Sequence, residues 1–381
     1  MRHTAEVVII GGGVNGCAIA YQLAKKGLRD VVIVEKDHLC SGASCRCPGG
    51  FRHQWATEAD IVLMTASIQL FTRLQEELEY PQDLEVRQIG YMFLLYSEEE
   101  VKQYRRNMQL QRSLGIPVQL MSPQEAKSLV PILSTDGLLA TAYCPWDGRA
   151  NPWLVTHAYA RAARRLGVEI NTGTGVTSIT TDDGKITGVV TDQGVIETSR
   201  VVCVAGAQSP AIARMVGIEN VPIRPSLREV LVTERITRAQ CPALMAPDVG
   251  YFQTANGDVM PELRSPDMES FDYSRGSRRS LKRSAAGWVR IAPVLGYMKV
   301  LRSWAGVYDM TPDAHPIVGP TPGVEGFYMA AGFSGHGFMM APIVGKTMAE
   351  SILGEPTSVD ISDLSAERFQ RGSHVVEKMV Y

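Results

Sequence analysis

The chain has 381 residues, 45% apolar and 20% charged, which suits a soluble globular protein of two domains or one large α/β body with an insertion. Its 38 basic residues nearly cancel 40 acidic ones, so no general electrostatic pull draws it to nucleic acid or anionic lipid. Seven cysteines without a regular framework indicate buried or free thiols in a reducing, cytoplasmic setting, and no apolar run is long enough for a transmembrane segment.

In chain order, Glu6 to Ile10 is a short β-branched run ending at glycines and predicts a buried parallel strand. Arg2 and His3 before an apolar stretch imitate a secretion signal, but Glu6, Asn15 and Gly11-Gly12-Gly13 interrupt the apolar core such a signal needs. Val14 to Lys26 predicts a helix stopped at Gly27, and Val31 to Glu35 a second buried strand. An amphipathic helix is expected over Ala59 to Leu78, strands over Val86 to Tyr96, and helices over Glu98 to Leu114 and Trp153 to Leu166. Val176 to Glu197 alternates around turns at Asp183-Gly184 and Gln193-Gly194 and predicts a β-meander. Val201 to Val204 reads as a buried strand. Pro222 to Ser303 reads as strands with a basic helix near Arg278 to Arg290. Gly326 to Ala331 is the final strand, followed by a glycine-rich loop and a helix from about Ala341 to Leu353.

Gly11, Gly13 and Gly16 satisfy G-x-G-x-x-G between the first strand and helix. The glycines permit a tight turn, close approach of backbone to a pyrophosphate, and close helix–strand packing. The helix start, at Val14 and Asn15, offers free N–H groups to phosphates. Glu35 ends the second strand 19 residues past Gly16, where an acid hydrogen-bonds adenosine ribose hydroxyls. Dinucleotide binding follows; NAD and FAD remain undistinguished by this motif alone.

Two further segments separate them: Ser41 to Trp55, containing Ser44, Arg46, Gly50 and Arg52, and Trp304-Ala305-Gly306 through Thr311-Pro312-Asp313-Ala314-His315-Pro316 to Ala330-Ala331-Gly332-Phe333-Ser334-Gly335-His336-Gly337-Phe338. With the fingerprint, this ordered set resembles the D-amino-acid oxidase-like flavoproteins over nearly the whole chain, above all the β subunits of sarcosine oxidase and dye-linked L-proline dehydrogenase complexes. The resemblance implies FAD and oxidation of an amine beside a carboxylate. It also implies an α/β plus α+β fold: a Rossmann-like FAD-binding domain (1–82, 145–221, 304–381) interleaved with a sheet-rich substrate domain (83–144, 222–303). FAD contacts are expected from the fingerprint, Glu35, Lys36, Ser44, Arg46, Gly50, Val176, Ala205, Gly206, Gly332, Gly335, His336, Gly337, Phe338 and Met339.

The departures carry information. Monomeric sarcosine oxidase-like proteins tether FAD through a cysteine in the segment matching Gly306, so FAD is expected to be noncovalent here. They hold the substrate carboxylate with a lysine where this chain has Met339, and Met339-Met340 resembles the proline dehydrogenase β subunits instead. The oxygen-activating lysine of the oxidases has no counterpart between Tyr251 and Asp258. Heterotetrameric sarcosine oxidase carries covalent FMN on a histidine in the segment around Asn151-Pro152; no histidine stands at that point here, His157 lying further on, and FMN at a subunit interface stays an open expectation.

Arg52 matches the family's carboxylate-binding arginine, and a guanidinium fork suits that task; a structural or phosphate-binding arginine is the alternative. His336 serves flavin, substrate or a structural hydrogen bond, and Tyr251 is a candidate pocket wall. His53 reads as packing or hydrogen-bonding. Cys40, Cys45 and Cys47 lack metal-ligand spacing and read as structural thiols, with no metal site expected. The basic run Arg275, Arg278, Arg279, Lys282 and Arg283 reads as a solvated helix face or a docking surface. The expected activity is oxidation of a small amino acid or amine, with hydride passing to flavin, inside a complex with partner subunits. An oxygen-using oxidase or a noncatalytic electron-relay subunit are the rivals.

Overall fold

The computed structural model describes residues 1–236, 241–263, 278–372 and 375–379. Its first sheet has six strands in the order Ile317–Pro320, Phe327–Ala331, Val201–Cys203, Val7–Ile10, Val31–Glu35, Glu169–Thr172. The inner pairs are parallel, and only Ile317–Pro320 runs antiparallel. Val7–Ile10 is buried on both faces, which explains its uninterrupted β-branched run. The chain leaves this strand toward Val31–Glu35 on one side, while Val201–Cys203 flanks the other. The crevice beyond its carboxyl end is thus a topological switch point, where ligands bind in open α/β sheets.

The Val14–Lys25 helix is buried from Val14 to Ala24 between the sheet and the Gly337–Ile352 helix. A Cβ at Gly345 would lie 2.9 Å from Ala18, so this close crossing needs a glycine. All-round burial is why the helix lacks a polar face. The Val176–Glu197 stretch forms the expected three-stranded antiparallel meander.

The second sheet has eight strands, in the order Val300–Met310, Arg224–Thr233, Val259–Leu263, Val249–Gln253, Ala243–Met245, Tyr91–Leu95, Ala140–Cys144, Gln119–Met121. Period-two alternation sends Met92, Leu94, Leu244 and Tyr251 to one face, where they pack with Trp288 and Ile291 of the Arg278–Ile291 helix. Tyr91, Phe93, Met245 and Phe252 face the other way and join the core shared with the first sheet.

Several local expectations change. The helix read as Ala59 to Leu78 is two helices, Glu58–Phe71 and Leu74–Leu78, parted at Thr72-Arg73. The last helix begins at Gly337, not Ala341, because Pro342 is accommodated within its second turn rather than at its start. Val300–Met310 is one strand, so the seam drawn at 303/304 falls inside an element. Cys40 and Cys45 are not free thiols but a disulfide. Cys40 adopts a left-handed conformation (φ 68°) that turns the chain back and brings the two Cα atoms to 5.4 Å. The five other cysteines form no disulfide, and Cys17, Cys144 and Cys203 are buried. Of the basic run, Arg275 lies outside the described residues. No helix among them is long and apolar enough to cross a membrane.

Candidate functional site

A cavity of about 540 Å³ opens at the switch point, within the range of small-molecule and cofactor sites. The fingerprint forms its floor. Gly11 has φ 123°, and a Cβ there would lie 2.4 Å from the Val204 carbonyl oxygen. A Cβ at Gly16 would meet the Gly11 carbonyl at 2.1 Å. Both positions therefore require glycine for the turn to close.

Glu35 reaches back to this loop. Its Oε2 accepts from the Gly12 N–H at 2.7 Å and its Oε1 from the Asp37 N–H at 2.9 Å. Ser44 Oγ accepts from the Val14 N–H at 3.0 Å, which ties the Ala43–Arg46 turn to the helix start. Asn15 donates to the Gly337 carbonyl at 2.9 Å, while its Oδ1 is buried without a partner among the described residues. The expected residues Lys36, Val176, Ala205 and Gly206 line the same cavity. Arg46 lines it too, with its Nη1 donating to the Ala305 carbonyl at 3.1 Å. Gly335, Gly337 and Phe338 close the far end, where the sixteen-residue Gly337–Ile352 helix points its positive end inward. Gly332 lies just behind, its N–H donating to Asp309 Oδ2 at 2.7 Å.

A chamber of about 50 Å³ adjoins this end, sharing Cys47, Tyr308, Gly335 and Phe338 with the large cavity. Arg52, His336, Met339 and Gly50 line it, as do three residues not anticipated from sequence: Tyr91, Met245 and Phe252. The Arg52 guanidinium stacks 3.7 Å from the Trp55 ring and donates to the Gln54 and Met379 carbonyls. His336 sits edge-on to Trp55 at 4.3 Å. Burial, aided by the Arg52 charge, pushes its pKa down to about 3, so the imidazole stays neutral at ordinary pH.

Tyr251 is not brought to the chamber. It points into the opposite core, its hydroxyl 3.7 Å from Cys241 Sγ, and its neighbour Phe252 takes the wall position. Asp309, also missed, lines the large cavity; burial raises its carboxyl pKa to about 6 against N–H groups that lower it. The one His/Cys/Asp grouping with metal-ligand spacing among the described residues is His53, Cys144 and Asp147. Asp147 Oδ1 accepts from the His53 N–H at 2.6 Å and its Oδ2 from Gln54 Nε2 at 2.9 Å, with His53 Nδ1 also 2.9 Å from Oδ1. Both oxygens are thus engaged, and the cluster acts as a brace for the chain after Arg52.

The arrangement fits FAD. An elongated cleft begins at a backbone cradle that Cβ atoms would fill, carries a carboxylate at the strand end, and ends at a helix N-terminus beside a small chamber.

Comparison with known proteins agrees. The FAD dependent oxidoreductase (DAO) family model matches residues 6–351. The sarcosine oxidase subunit beta of Arthrobacter sp is 28% identical over 99% of this chain and 94% of its own. The crystal structure of L-proline dehydrogenase from P. horikoshii superposes with a TM-score of 0.94 at 34% identity, covering 98% of this chain and 100% of that one. Glycine oxidase from Geobacillus kaustophilus gives a TM-score of 0.90 at 26% identity, covering 96% and 99%.

Proposed function

The chain belongs to the FAD-dependent oxidoreductase (DAO) family, and on that premise we propose that it is an amino-acid or secondary-amine dehydrogenase, the catalytic subunit of a larger complex. The observation that carries this reading is the small chamber holding Arg52, which opens onto the end of the FAD-sized cleft. The sarcosine, proline and glycine enzymes it resembles support a substrate of that size with an amine next to a carboxylate.

FAD, bound noncovalently, supplies the hydride acceptor. The residues of this chain hold and orient. With FAD in place, Val14 and Asn15 would present the helix start to its phosphates, Gly11 and Gly13 would keep the loop close, and Glu35 would receive the ribose hydroxyls. Gly306, which replaces the tethering cysteine, leaves no thiol there; a Cβ at this point would already meet Arg46 Cβ at 3.1 Å. Arg52 anchors the substrate carboxylate. Tyr91, Met245, Phe252 and Met339 form a wall without carboxylate or ammonium groups, which favours the neutral amine and keeps water from the reacting carbon. Neutral His336 offers hydrogen bonding without adding charge beside Arg52. No acid or base is needed at the carbon once the amine is neutral, so positioning and electrostatics carry the catalysis.

A dehydrogenase is favoured over an oxidase because Lys36, at the Glu35 end, is the one lysine among the described residues lining either cavity. Asn151 caps the Pro152–Arg165 helix through the Trp153 and Leu154 N–H groups, so no histidine-linked flavin is expected at that point.

The test is anaerobic bleaching of the flavin by proline, hydroxyproline, sarcosine, glycine and opine-like amines. Bleaching by one or more amino acids is expected. A flavin that none of them reduces would favour a noncatalytic electron-relay subunit.

A further inference from the structure

Arg52 is surrounded by chain from the far end of the sequence. Its Nη2 donates to the carbonyl of Met379, 327 residues away. Met379 is 3% exposed, and its sulfur accepts from Asn107 Nδ2 at 3.2 Å. Two residues earlier, Glu377 is also 3% exposed. Its carboxyl accepts from the Ala56 N–H at 3.1 Å, the Thr57 N–H at 3.2 Å and the Met379 N–H at 2.7 Å. One side chain thus grips both the chain that follows Arg52 and the residue whose carbonyl receives the guanidinium.

The grip is anchored in turn. The Glu377 N–H donates to the Asp313 carbonyl at 3.0 Å. The Glu377 carboxyl is a neighbour of the Asp60 carboxyl, and each shifts the other's titration. Asp60 Oδ2 also meets His315 Nε2 at 3.0 Å and accepts from Thr57 Oγ1 at 2.7 Å. Burial and the Asp60 charge raise the Glu377 pKa, while His315 and Thr57 lower that of Asp60 against its burial. Burial of so many polar groups is tolerated only because they satisfy one another.

We propose that residues 377–379 are a positioning element of the substrate chamber: Glu377 fixes the Met379 carbonyl against the Arg52 guanidinium and thereby sets the angle at which Arg52 meets a substrate carboxylate. The inference rests on the reading of Arg52 as the carboxylate anchor. Both Glu377 oxygens accept from backbone N–H groups, so a glutamine amide, with one acceptor oxygen, keeps part of the grip, whereas alanine and the shorter aspartate lose it. Glu377→Gln is therefore expected to fall between wild type and Glu377→Ala, and Glu377→Asp to fail as alanine does.

The experiment measures kcat and KM with the panel amino acid that bleaches wild type fastest, alongside FAD content and Tm. Glu377→Ala is expected to raise KM by about 10-fold or more while leaving kcat within about twofold, the mark of lost uniform binding. Glu377→Asp stands in if the alanine variant does not fold, and Glu377→Gln is expected to give a KM between those of wild type and Glu377→Ala. Arg52→Ala is the control. If it raises KM but folded Glu377 variants do not, the positioning role is overturned and the anchor survives. If Arg52→Ala leaves KM unchanged, the anchor itself falls and the proposal with it. A fall in Tm and FAD content without a KM change in Glu377→Ala, or a glutamine variant no better than alanine, reduces the segment to a structural strap.

Discussion

Glu35→Ala tests the cofactor site at its most informative residue. The carboxylate has two tasks: at the strand end it is placed to receive ribose hydroxyls, and it already accepts from the Gly12 N–H at 2.7 Å and the Asp37 N–H at 2.9 Å. Alanine removes the ribose contact and leaves the Gly12 N–H without its acceptor inside the loop that must cradle the pyrophosphate. A hydrogen bond to a charged group contributes about 1.5–3 kcal/mol. At about 1.4 kcal/mol per decade, FAD is expected to bind roughly 10- to 150-fold more weakly. Glu35→Gln keeps one acceptor oxygen and presents an amide NH₂ to the other donor, so its loss is expected to fall between wild type and alanine. The assay is titration of apoprotein with FAD by quenching of flavin fluorescence, with circular dichroism to verify folding. A folded alanine variant with wild-type FAD affinity, or a glutamine variant worse than alanine, would refute the reasoning.

Acid precipitation is expected to release yellow flavin into the supernatant, because Gly306 offers no tether; colour retained in the pellet would contradict a noncovalent cofactor. Substrate-reduced protein is expected to reoxidise slowly in air-saturated buffer and quickly with an artificial dye, as no lysine lines the chamber among the described residues; stopped-flow reoxidation as fast as dye-coupled turnover would make it an oxidase. His336 has a folded pKa near 3 against 6.5 for the free side chain. The unfolded chain therefore binds the extra proton first, and stability present above pH 6.5 is lost as pH falls, by about 3 kcal/mol at pH 4. Melting temperatures of wild type and His336→Gln across pH 4–8 would show this as a shallower acid slope in the variant, and parallel curves would rule it out.

The cofactor half of the molecule was legible because its physics is local. A strand, a glycine turn, a helix and an acid lie within residues 6–35, and each constraint acts between near neighbours: the Gly16 Cβ against the Gly11 carbonyl, the Glu35 carboxylate against the Gly12 N–H. The helix beginning at Gly337 was read four residues late because Pro342 looks like a first-turn proline, although the helix tolerates it further in. The Cys40–Cys45 disulfide was missed because a five-residue spacing carries no signal until the left-handed turn at Cys40 closes it.

The substrate chamber was less legible for a different reason. Its walls come from alternate residues of separate strands, and alternation says which residues share a face but not which face meets the cofactor. Tyr251 and Phe252 are adjacent aromatics in one strand, and only Tyr251 was anticipated from the sequence. The choice is made by register. Tyr251 stands opposite Leu244, whose neighbours Trp288 and Ile291 belong to the Arg278–Ile291 helix, while Phe252 turns to Tyr91 at a centroid distance of 5.7 Å. Arg52 shows the same limit. Its identity suggested an anion anchor, but its guanidinium donates to a carbonyl 327 residues away, in a segment whose N–H the Glu377 carboxyl accepts. None of these residues forms a motif with Arg52, since a main-chain carbonyl is the same in every residue type. The direction in which a long charged side chain points is thus written in the tertiary contacts that satisfy its donors, and these become visible only once the chain's two ends meet.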